Sequence, residues 1–421
     1  MTVECATMLK TSKLDIHTRA QHDVRLATMR GYVARNELPF FRVTESAAGA
    51  TSVIDGQPRI MLGSNNALGL CGDPRLIEAA SQATAQYGPS CSSAPAFSGT
   101  LKVKMELEER LADWHGAEAA LAYSSGYQAN IGAITALLGV ADLAFPDSEA
   151  HTSIFDGIRL SGASSRFFAH NDVESLESNL DRTSDRTGTK MIAVDGLYSM
   201  GGDVAPIVGI AALAQRHNVG LLVDEAHSVG IFGSQRTGIA EEFGCLDEVD
   251  VVMGALSKAL ASTGGYIVGS QDLIDLLRLH SSAHLFSTTA SPAAMAAGVA
   301  AIDIVRSAEG SERAAAALAN ARALRDGLLD QGLQVSGDVV RADGSRAVPP
   351  NVAVRIGLEH NAIAAWNQAF DNGVYCALAL APAVGADEAM MRCSVSAAHT
   401  AADIELAVNV ITTAVHSVRG R

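Results

Sequence analysis

Short apolar runs alternate with helix-like stretches between about residue 60 and about residue 300, and this alternation limits the possible folds more than any other feature. The strand candidates are 119–123, 191–195, 220–224, 249–254 and 265–268. The helix candidates, by length and by alanine and leucine content, are 127–138 and 205–217. Strands that alternate with helices predict an α/β fold with a doubly wound, mainly parallel sheet.

The pattern changes after about residue 305. A long, alanine-rich amphipathic helix over 311–331 is followed by mixed strands and helices, and the chain closes with a helix over 401–418. This order is typical of an α+β unit. We therefore predict three parts: an N-terminal segment over 1–60, a large domain over 61–305 and a smaller C-terminal domain over 306–421.

Charge and cysteine content exclude several classes of protein. The 421 residues include 46 acidic residues against 31 Lys and Arg, which gives a net charge of −15. An acidic surface argues against general nucleic-acid binding and against adhesion to anionic membranes. The six cysteines lie far apart, without a Cys-x-x-Cys pair or a neighbouring group of histidines, so neither a disulfide framework nor a metal site is expected.

Two long stretches without charged residues, 119–141 and 279–302, contain too many polar residues for membrane spans. The first ten residues lack the apolar run of a signal peptide. We therefore expect a cytoplasmic protein without a membrane span.

An apolar strand candidate ends in Asp224, and His227 follows shortly after it. Ligands of open α/β sheets bind outside the carboxyl ends of the strands, so both residues stand where a ligand is expected. The letters Asp-Glu-Ala-His also resemble a helicase motif, but that class needs a Gly-Lys-Ser/Thr phosphate loop and the chain has no Gly-Lys pair. Taken alone, the motif also fits a strand-end Asp that caps the next turn.

Lys258 follows another apolar strand candidate and is flanked by the small residues Ser257 and Ala259. Removal from water lowers the pKa of a lysine and makes its amine a nucleophile for aldehydes, including that of pyridoxal phosphate. Enzymes that use this cofactor also need an acid that keeps the pyridine nitrogen protonated, so that the ring accepts electrons. Lys258 and Asp224 together predict pyridoxal phosphate, whereas a lone lysine would more often be a solvated loop residue.

Two further stretches suit the same cofactor. Ser125, Gly126 and Tyr127 lie where a predicted strand passes into a predicted helix, and the free amides of a helix start bind phosphate. His151 precedes another helix-like stretch, and its imidazole could stack on a planar ring. Taken singly, each has an ordinary structural explanation: a turn rich in Ser and Gly, and a histidine that is satisfied within the protein.

Taken together, these motifs resemble the α-oxoamine synthases, a family of fold-type I pyridoxal-phosphate enzymes. The resemblance runs from about residue 62 to about residue 400. It rests on eight segments in the family's order: 64–70, 125–130, 151–160, 198–203, 224–227, 257–259, 286–288 and 392–400. Within the family, the Arg392-Cys393-Ser394 run and the Ser257-Lys258 pair followed by Gly264-Gly265 are most similar to the serine palmitoyltransferases.

The resemblance implies a role for each matching residue. Lys258 would bind the cofactor aldehyde and act in catalysis, Asp224 would pair with the ring nitrogen, and His151 would stack on the ring. His227 would contact the ring hydroxyl and belong to the catalytic set. The remaining cofactor-binding residues would be Ser125, Gly126, Tyr127 and Ser257 at the phosphate and Ser199 at the ring hydroxyl.

The resemblance also concerns the substrates and the assembly. Arg392 matches the arginine that binds the substrate carboxylate, a role suited to its planar fork of donors, and Asn66 would assist it. Thr288 would reach the phosphate held by a neighbouring subunit, which implies a homodimer with shared active sites.

Four positions depart from the family's pattern. Ala67 replaces an aromatic residue, Ser93-Ala94-Pro95 replaces a Gly-Ser-Arg segment, Ala255 replaces a threonine, and Leu380-Ala381-Pro382 replaces Arg-Pro-Pro. The change at Ala255 removes one hydroxyl from the phosphate site. The cofactor residues are therefore largely retained, while the region near the substrate is altered.

The resemblance predicts a decarboxylative condensation of a small α-amino acid with an acyl thioester, carried by coenzyme A or by an acyl-carrier protein, to give an α-amino ketone. Lys258 would remove the α-proton as general base. An aminotransferase or an amino-acid lyase on the same fold is the alternative among enzymes. A non-catalytic partner subunit of a synthase is the alternative from another class, and the joint presence of Lys258, Asp224 and His227 argues against it.

Overall fold

The computed structural model describes residues 19–20, 22–35, 37–341, 343–381 and 383–418. The helices are α1 (Val24–Ala34), α2 (Pro74–Tyr87), α3 (Lys102–His115), α4 (Gly126–Leu137), α5 (Thr152–Ser161), α6 (Val173–Asp181), α7 (Ile207–His217), α8 (Ile239–Glu242), α9 (Gln271–His280), α10 (Ser282–Leu285), α11 (Pro292–Arg306), α12 (Ala308–Asp330), α13 (Glu359–Asp371) and α14 (Ala401–Val418). The strands are β1 (Thr51–Ile54), β2 (Gln57–Leu62), β3 (Ala119–Tyr123), β4 (Leu143–Pro146), β5 (Ser164–Ser165), β6 (Lys190–Asp195), β7 (Gly220–Asp224), β8 (Val251–Ala255), β9 (Gly265–Gly269), β10 (Gln334–Val335), β11 (Val339–Val340), β12 (Arg346–Ala347), β13 (Asn351–Gly357), β14 (Val374–Ala379) and β15 (Ala389–Ser394).

Seven strands form the larger sheet, in the order β3-β9-β8-β7-β6-β4-β5. β5, β4, β6, β7 and β8 run parallel to one another. β9 runs antiparallel to both β8 and β3. The strands at its centre are buried along almost their whole length, as expected for parallel strands with a covered sheet on both sides. The doubly wound, mainly parallel α/β sheet predicted from the sequence is confirmed.

Alternate side chains of the central strands pack into two separate hydrophobic cores, one on each face of this sheet. In β6, Ile192 and Val194 belong to one core, while Met191 and Ala193 belong to the other. Because both faces are apolar, the polar residues of β6 and β7 are confined to the strand ends. This confinement is what places acidic side chains at one edge of the sheet.

A second sheet of six strands, in the order β1-β2-β14-β15-β13-β10, is built from both ends of the chain. β1 and β2 form an antiparallel pair, and β2 runs parallel to β14 with Ile60 opposite Val374. α12 contributes to both halves of the molecule: Ala317 packs in the core under the larger sheet and Leu324 in the core under the six-stranded sheet. The domain boundaries near residues 60 and 305 stay a prediction.

Most predicted elements lie within three residues of the observed ones, and β3, β7 and α14 match at both ends. The strand predicted over 249–254 begins later, at Val251. Asp250, the residue before it, uses its side-chain carboxylate to accept a hydrogen bond from Leu221 N of β7 at 2.8 Å. β4 escapes the sequence pattern because it has four residues and ends in Pro146, a residue more typical of turns.

Within the described ranges, no helix has the length and apolar content needed to cross a membrane. The stretch 119–141 forms β3 and α4, and the stretch 279–302 forms the end of α9, α10 and most of α11. Polar residues inside these stretches begin helices, since Ser125 caps α4 and Ser291 caps α11.

Gly254, on the strand that leads to Lys258, provides a test of the packing. A Cβ at this position would lie 2.1 Å from Tyr266 Cζ, and the Tyr266 ring is fully buried with its hydroxyl 3.0 Å from His115 Nε2. We expect Gly254→Ala to lower the free energy of unfolding by about 1–3 kcal/mol, measured by urea denaturation. Gly139→Ala, whose nearest neighbour would be 3.8 Å away, is the control and should change it by no more than about 0.5 kcal/mol. Equal effects of the two substitutions would contradict the crowding argument.

Candidate active site

A cavity of about 340 Å³ opens at the carboxyl ends of β6, β7 and β8. Ligands of open α/β sheets bind at this edge. Eight residues predicted from the sequence line the cavity: Ser125, Gly126, Tyr127, His151, Asp224, His227, Ser257 and Lys258. Asp195 lines it as well, although no sequence motif pointed to it.

Lys258 lies in a tight loop after β8 whose shape is set by backbone hydrogen bonds. Ala261 N donates to Lys258 O at 2.9 Å, and Ser262 N donates to Leu256 O at 2.8 Å. Ala261 has a φ of 50°, a left-handed conformation that a residue with a side chain keeps only when its surroundings impose it. Burial lowers the pKa of Lys258 to about 8, although the nearby carboxylates act in the opposite direction. Its amine therefore loses a proton more readily near neutral pH than that of an ordinary lysine.

Asp224 ends β7 and is only 5% exposed. Both of its carboxylate oxygens accept hydrogen bonds: Oδ1 from Ala226 N at 2.9 Å and Oδ2 from Asn130 Nδ2 at 2.7 Å. The two donors fix the orientation of the carboxylate, whose oxygens act here as acceptors. Asp224 therefore presents a positioned carboxylate to the cavity.

Asp195 ends β6 and lies opposite Asp224 in the parallel register of the two strands. Its Oδ1 accepts a hydrogen bond from His151 N at 3.0 Å. Burial and the charge of Asp224 raise the pKa of Asp195 well above its usual range, because two neighbouring buried carboxyl groups resist ionising together. The charged form of Asp195 is therefore disfavoured beside Asp224.

The turn between β3 and α4 has the form of a phosphate site. Ser125 Oγ accepts from Gln128 N at 3.2 Å and so begins the helix, whose first amides, including those of Gly126 and Tyr127, have no partner within the helix. Gly265 of β9 packs against this turn so closely that a Cβ there would lie 2.6 Å from Gly126 N. The close approach holds the amides at the edge of the cavity.

His151 precedes the first residue of α5 and faces the cavity. Its ring meets the Tyr127 ring edge-on, with 6.3 Å between the centroids. Burial lowers the pKa of His151, so the imidazole is neutral at pH 7. A neutral, partly exposed ring is suited to stacking on a flat ligand, the role that the family resemblance assigns to it.

His227 is fixed by a residue of the other sheet. Asn351 Nδ2, at the start of β13, donates to His227 Nδ1 at 3.0 Å. Burial, reinforced by the positive charges of Lys258 and Arg392, lowers the pKa of His227 well below its usual range. His227 is therefore neutral, and because Nδ1 accepts, its proton lies on Nε2.

Arg392 lies on β15 and is 8% exposed. Its Nη2 donates to Asn65 Oδ1 at 2.8 Å and its Nη1 donates to Ser199 O at 3.2 Å. It makes no ion pair with any described residue, and its Nε has no hydrogen-bond partner among them. A buried charge without a counter-charge is costly, and a carboxylate ligand would offset that cost.

Asn65 is the asparagine that contacts Arg392, whereas Asn66 makes its hydrogen bonds elsewhere, and its role toward a substrate stays a prediction. The Asn66 amide oxygen accepts from two backbone amides of the following turn, at 2.8 and 3.2 Å, and its Nδ2 donates to Ala48 O at 2.7 Å. Its amide is therefore engaged by its own loop and is not directed at Arg392.

Two of the predicted cofactor residues, Ser199 and Thr288, do not line the cavity. Ser199 contributes its carbonyl oxygen to Arg392. Thr288 is exposed, and its carbonyl accepts from Ser124 Oγ at 2.8 Å, beside the turn that begins α4. The roles assigned to the two side chains stay predictions.

A histidine between two carboxylates holds the loop that carries Ser199. His170 Nδ1 lies 2.9 Å from Asp147 Oδ1, and His170 Nε2 lies 2.7 Å from Asp203 Oδ2. Although burial lowers it, these two hydrogen bonds raise the pKa of His170 to about 10. His170 is therefore a cation at neutral pH and ties the loop over 198–203 to the end of β4.

Four residues of the site were given no role from the sequence: Asn65, Asn130, Asp195 and Asn351. Asp195 could have been found, because it ends a predicted strand that neighbours the strand of Asp224. Asn65 and Asn351 belong to the six-stranded sheet and its loops, and only the packing of the two sheets brings them to the cavity.

Comparisons with known proteins match most of the chain. The family model for class I and II aminotransferases matches residues 57–411. Serine palmitoyltransferase of Caulobacter vibrioides is 38% identical over 84% of this chain and 85% of its own length. The 8-amino-7-oxononanoate synthase of Geotalea daltonii is 35% identical over 88% of this chain and 92% of its own. A solved structure of serine palmitoyltransferase with pyridoxal phosphate as the internal aldimine has a TM-score of 0.89 and 31% identity, covering 96% of this chain and 99% of that one.

His170 should make the stability of the protein depend on pH. Its pKa is raised from 6.5 to about 10, so its stabilising contribution is complete below about pH 6.5 and is lost as the pH rises toward 10. In this window we expect the free energy of unfolding to fall more steeply with pH than in His170→Gln, by up to about 1.4 kcal/mol per pH unit. Urea denaturation over this pH range measures the slopes, with the exposed His360→Gln as the control. Parallel profiles for the unmodified protein and His170→Gln would refute this role.

Proposed function

Because this chain belongs to the class I and II aminotransferase family, and within it to the α-oxoamine synthases, we propose that it joins a small α-amino acid to an acyl thioester with loss of carbon dioxide. The product is an α-amino ketone. The observation that carries the proposal is the shared cavity of Lys258 and Asp224, with a buried cation that lacks a counter-charge close by. This combination serves a cofactor with an aldehyde and a substrate with a carboxylate.

The residues of the cavity fit pyridoxal phosphate. Lys258 offers an amine of lowered pKa to the aldehyde, Asp224 offers a positioned carboxylate to a protonated ring nitrogen, and the start of α4 offers amides to the phosphate. The volume, about 340 Å³, suits a small planar ligand. When bound, this group draws electrons away from the α-carbon of an amino acid.

The amino acid would bind through its carboxylate to Arg392. A narrow crevice of about 10 Å³ shares Lys258 and His227 with the cavity and reaches Asn65 and Ser394, two hydrogen-bond partners of Arg392. A space of this size holds about one water molecule. The surroundings of the proposed carboxylate site are therefore narrow, which favours a small amino acid as substrate.

The proton steps would use groups whose protonation states differ at neutral pH. Lys258 Nζ takes the α-proton, since its pKa of about 8 keeps a useful share of the amine unprotonated. His227 Nε2 can donate to an oxygen in the cavity, because its other ring nitrogen already accepts from Asn351. Asp224 keeps its place through its hydrogen bonds to Ala226 N and Asn130 Nδ2 while Lys258 exchanges its proton.

We further propose that a second copy of the chain covers one apolar face near the cavity. Phe97, Leu279 and Phe286 are exposed by 83%, 72% and 81%, and large apolar residues exposed together mark interaction surfaces. Leu279 lines a pocket of about 480 Å³ between α3 and α9 that is distinct from the cavity of Lys258, and Phe97 and Phe286 each follow a lining residue in the sequence. Thr288, the residue expected to serve a neighbouring subunit, lies two residues after Phe286, so the same face suits a homodimer with shared sites.

The reaction is tested by mixing the protein and pyridoxal phosphate with L-serine, glycine or L-alanine and with palmitoyl coenzyme A. We expect free thiol to be released only when amino acid and thioester are both present. Lys258→Ala should lose this activity by a factor of about 10³ or more, together with the visible absorbance of lysine-bound cofactor. Lys190→Ala, whose Nζ donates to Thr183 O at 2.6 Å on the far end of β6, is the control and should retain both.

Two outcomes would overturn this assignment. Consumption of the amino acid without any thioester would indicate an aminotransferase or a lyase. Retention of both absorbance and turnover in Lys258→Ala would show that another group carries the cofactor.

The dimer is tested with Phe97→Glu, which places a charge on the apolar face. We expect the mass in sedimentation equilibrium to fall from twice the 43.7 kDa of the chain toward the mass of a single chain. Phe167→Glu is the matched control. Phe167 is also exposed, by 67%, but it lies two residues after β5, away from this face. A single-chain mass for the unmodified protein, or an unchanged dimer in Phe97→Glu, would refute the proposed interface.

A further inference from the structure

A buried chain of hydrogen bonds joins Asp224 and His151, two residues that line the cavity. Asn130 Nδ2 donates to Asp224 Oδ2 at 2.7 Å and also to Ser153 Oγ at 2.9 Å. Ser153 Oγ in turn lies 2.6 Å from His151 Nδ1. Asn130 and Ser153 are both 0% exposed and do not line the cavity, so they can act on a ligand only through Asp224 and His151.

The chemistry of the partners sets the direction of each hydrogen bond at Asn130. Asp224 Oδ2 accepts, and the group of Asn130 that faces it is the NH₂, which can only donate. The second hydrogen of that NH₂ points to Ser153 Oγ, which therefore accepts. The Asn130 Oδ1 has no hydrogen-bond partner among the described residues, so this side chain acts here only as a double donor.

The same reasoning sets the tautomer of His151. Because Ser153 Oγ accepts from Asn130, its own hydrogen is free to point to His151 Nδ1. Ser153 N also approaches that ring nitrogen, at 3.3 Å, and a backbone amide can only donate. His151 Nδ1 is thus an acceptor, and the proton of the neutral ring lies on Nε2.

The chain also connects the two helices that begin at the cavity. Asn130 lies in the first half of α4, whose opening amides form the phosphate site, and Ser153 lies in the first turn of α5, directly after His151. Asp195 Oδ1 accepts from His151 N at 3.0 Å and anchors the backbone at the same point. Rotation of the His151 ring would therefore break its hydrogen bond to Ser153, through which the ring is connected to Asp224.

We propose that Asn130 and Ser153 are positioning residues that lock the Asp224 carboxylate and the His151 imidazole into one unit, with His151 held as its Nε2–H tautomer. The proposal deepens the proposed function and rests on it, since the two locked groups are those that would hold the cofactor ring. Removal of Asn130 releases a hydrogen bond to a charged group, whereas removal of Ser153 releases one between neutral groups. The first change should therefore have the larger effect on cofactor binding.

The tautomer can be read in the protein without any cofactor. Long-range ¹H–¹⁵N correlation spectra of histidine-labelled protein, with His151→Gln to assign the signal, report which ring nitrogen carries the proton. We expect the Nε2–H form in the unmodified protein and a mixture of tautomers in Ser153→Ala. An Nδ1–H form, or a charged ring at pH 7, in the unmodified protein would overturn the proposal whatever the enzyme's reaction is.

Cofactor affinity and absorbance supply the second measurement. We expect the Kd for pyridoxal phosphate to rise by about tenfold to a hundredfold in Asn130→Ala and by about twofold to tenfold in Ser153→Ala, with a shifted pH dependence of the cofactor absorbance in both. Ser153→Thr, which keeps the hydroxyl, should restore the affinity. Ser281→Ala is the matched control, since Ser281 is a buried serine whose Oγ accepts from Tyr123 OH at 3.2 Å away from the cavity.

These measurements separate a positioning role from a merely structural one. If Asn130→Ala and Ser153→Ala lower the melting temperature as Ser281→Ala does but leave cofactor affinity and the absorbance profile unchanged, the proposal is refuted. If the unmodified protein takes up no pyridoxal phosphate, the proposed function fails, and the tautomer measurement still decides whether the hydrogen-bond chain exists.

Discussion

Two carboxyl groups meet at one edge of the larger sheet because the parallel register of β6 and β7 sets Asp195 opposite Asp224. Burial and the closeness of the two groups raise the pKa of Asp195 well above its usual range. Asp224 receives donors at both oxygens, whereas Asp195 receives only the amide of His151 among the described hydrogen bonds. The hydrogen bonds that hold the Asp224 carboxylate continue through Asn130 and Ser153 to the ring of His151, so the orientation of one cavity group is tied to that of the other.

The groups that would bind anions lie together although the chain as a whole is acidic. The net charge is −15, yet Lys258 and the amide donors at the start of α4 border the cavity, and Arg392 lies nearby. A phosphate and a carboxylate would otherwise be repelled by the acidic surface. Local burial strengthens these attractions, because screening by salt is weak away from water. The site thus binds anions by geometry rather than by the composition of the chain.

The sequence alone predicts the succession of strands and helices and most residues that line the cavity, because these depend on local patterns. The alternation of strands and helices predicted the larger sheet, and Lys258 and Asp224 were recognisable since each follows or ends an apolar strand. Residues that act across the molecule were harder to recognise. Asn65 and Asn66 are adjacent, and only the structure shows that Arg392 meets the first while the second binds its own loop. Asn351 reaches His227 only because the two sheets pack together, a contact with no local signature.

The place of β2 in the six-stranded sheet has a consequence for how the chain is made. Ile60, Met61 and Leu62 are buried against strands near the other end of the sequence, and β2 is paired along one side by β14. A ribosome that adds about 5–20 residues per second needs roughly 15–60 seconds to reach β14 after β2 has been translated. During that time an apolar strand with an open edge remains without its partner, which makes it a natural target for chaperones and for wrong pairing with other nascent chains. A delay in translation anywhere between β2 and β14 would therefore lengthen this exposure and lower the yield of folded protein.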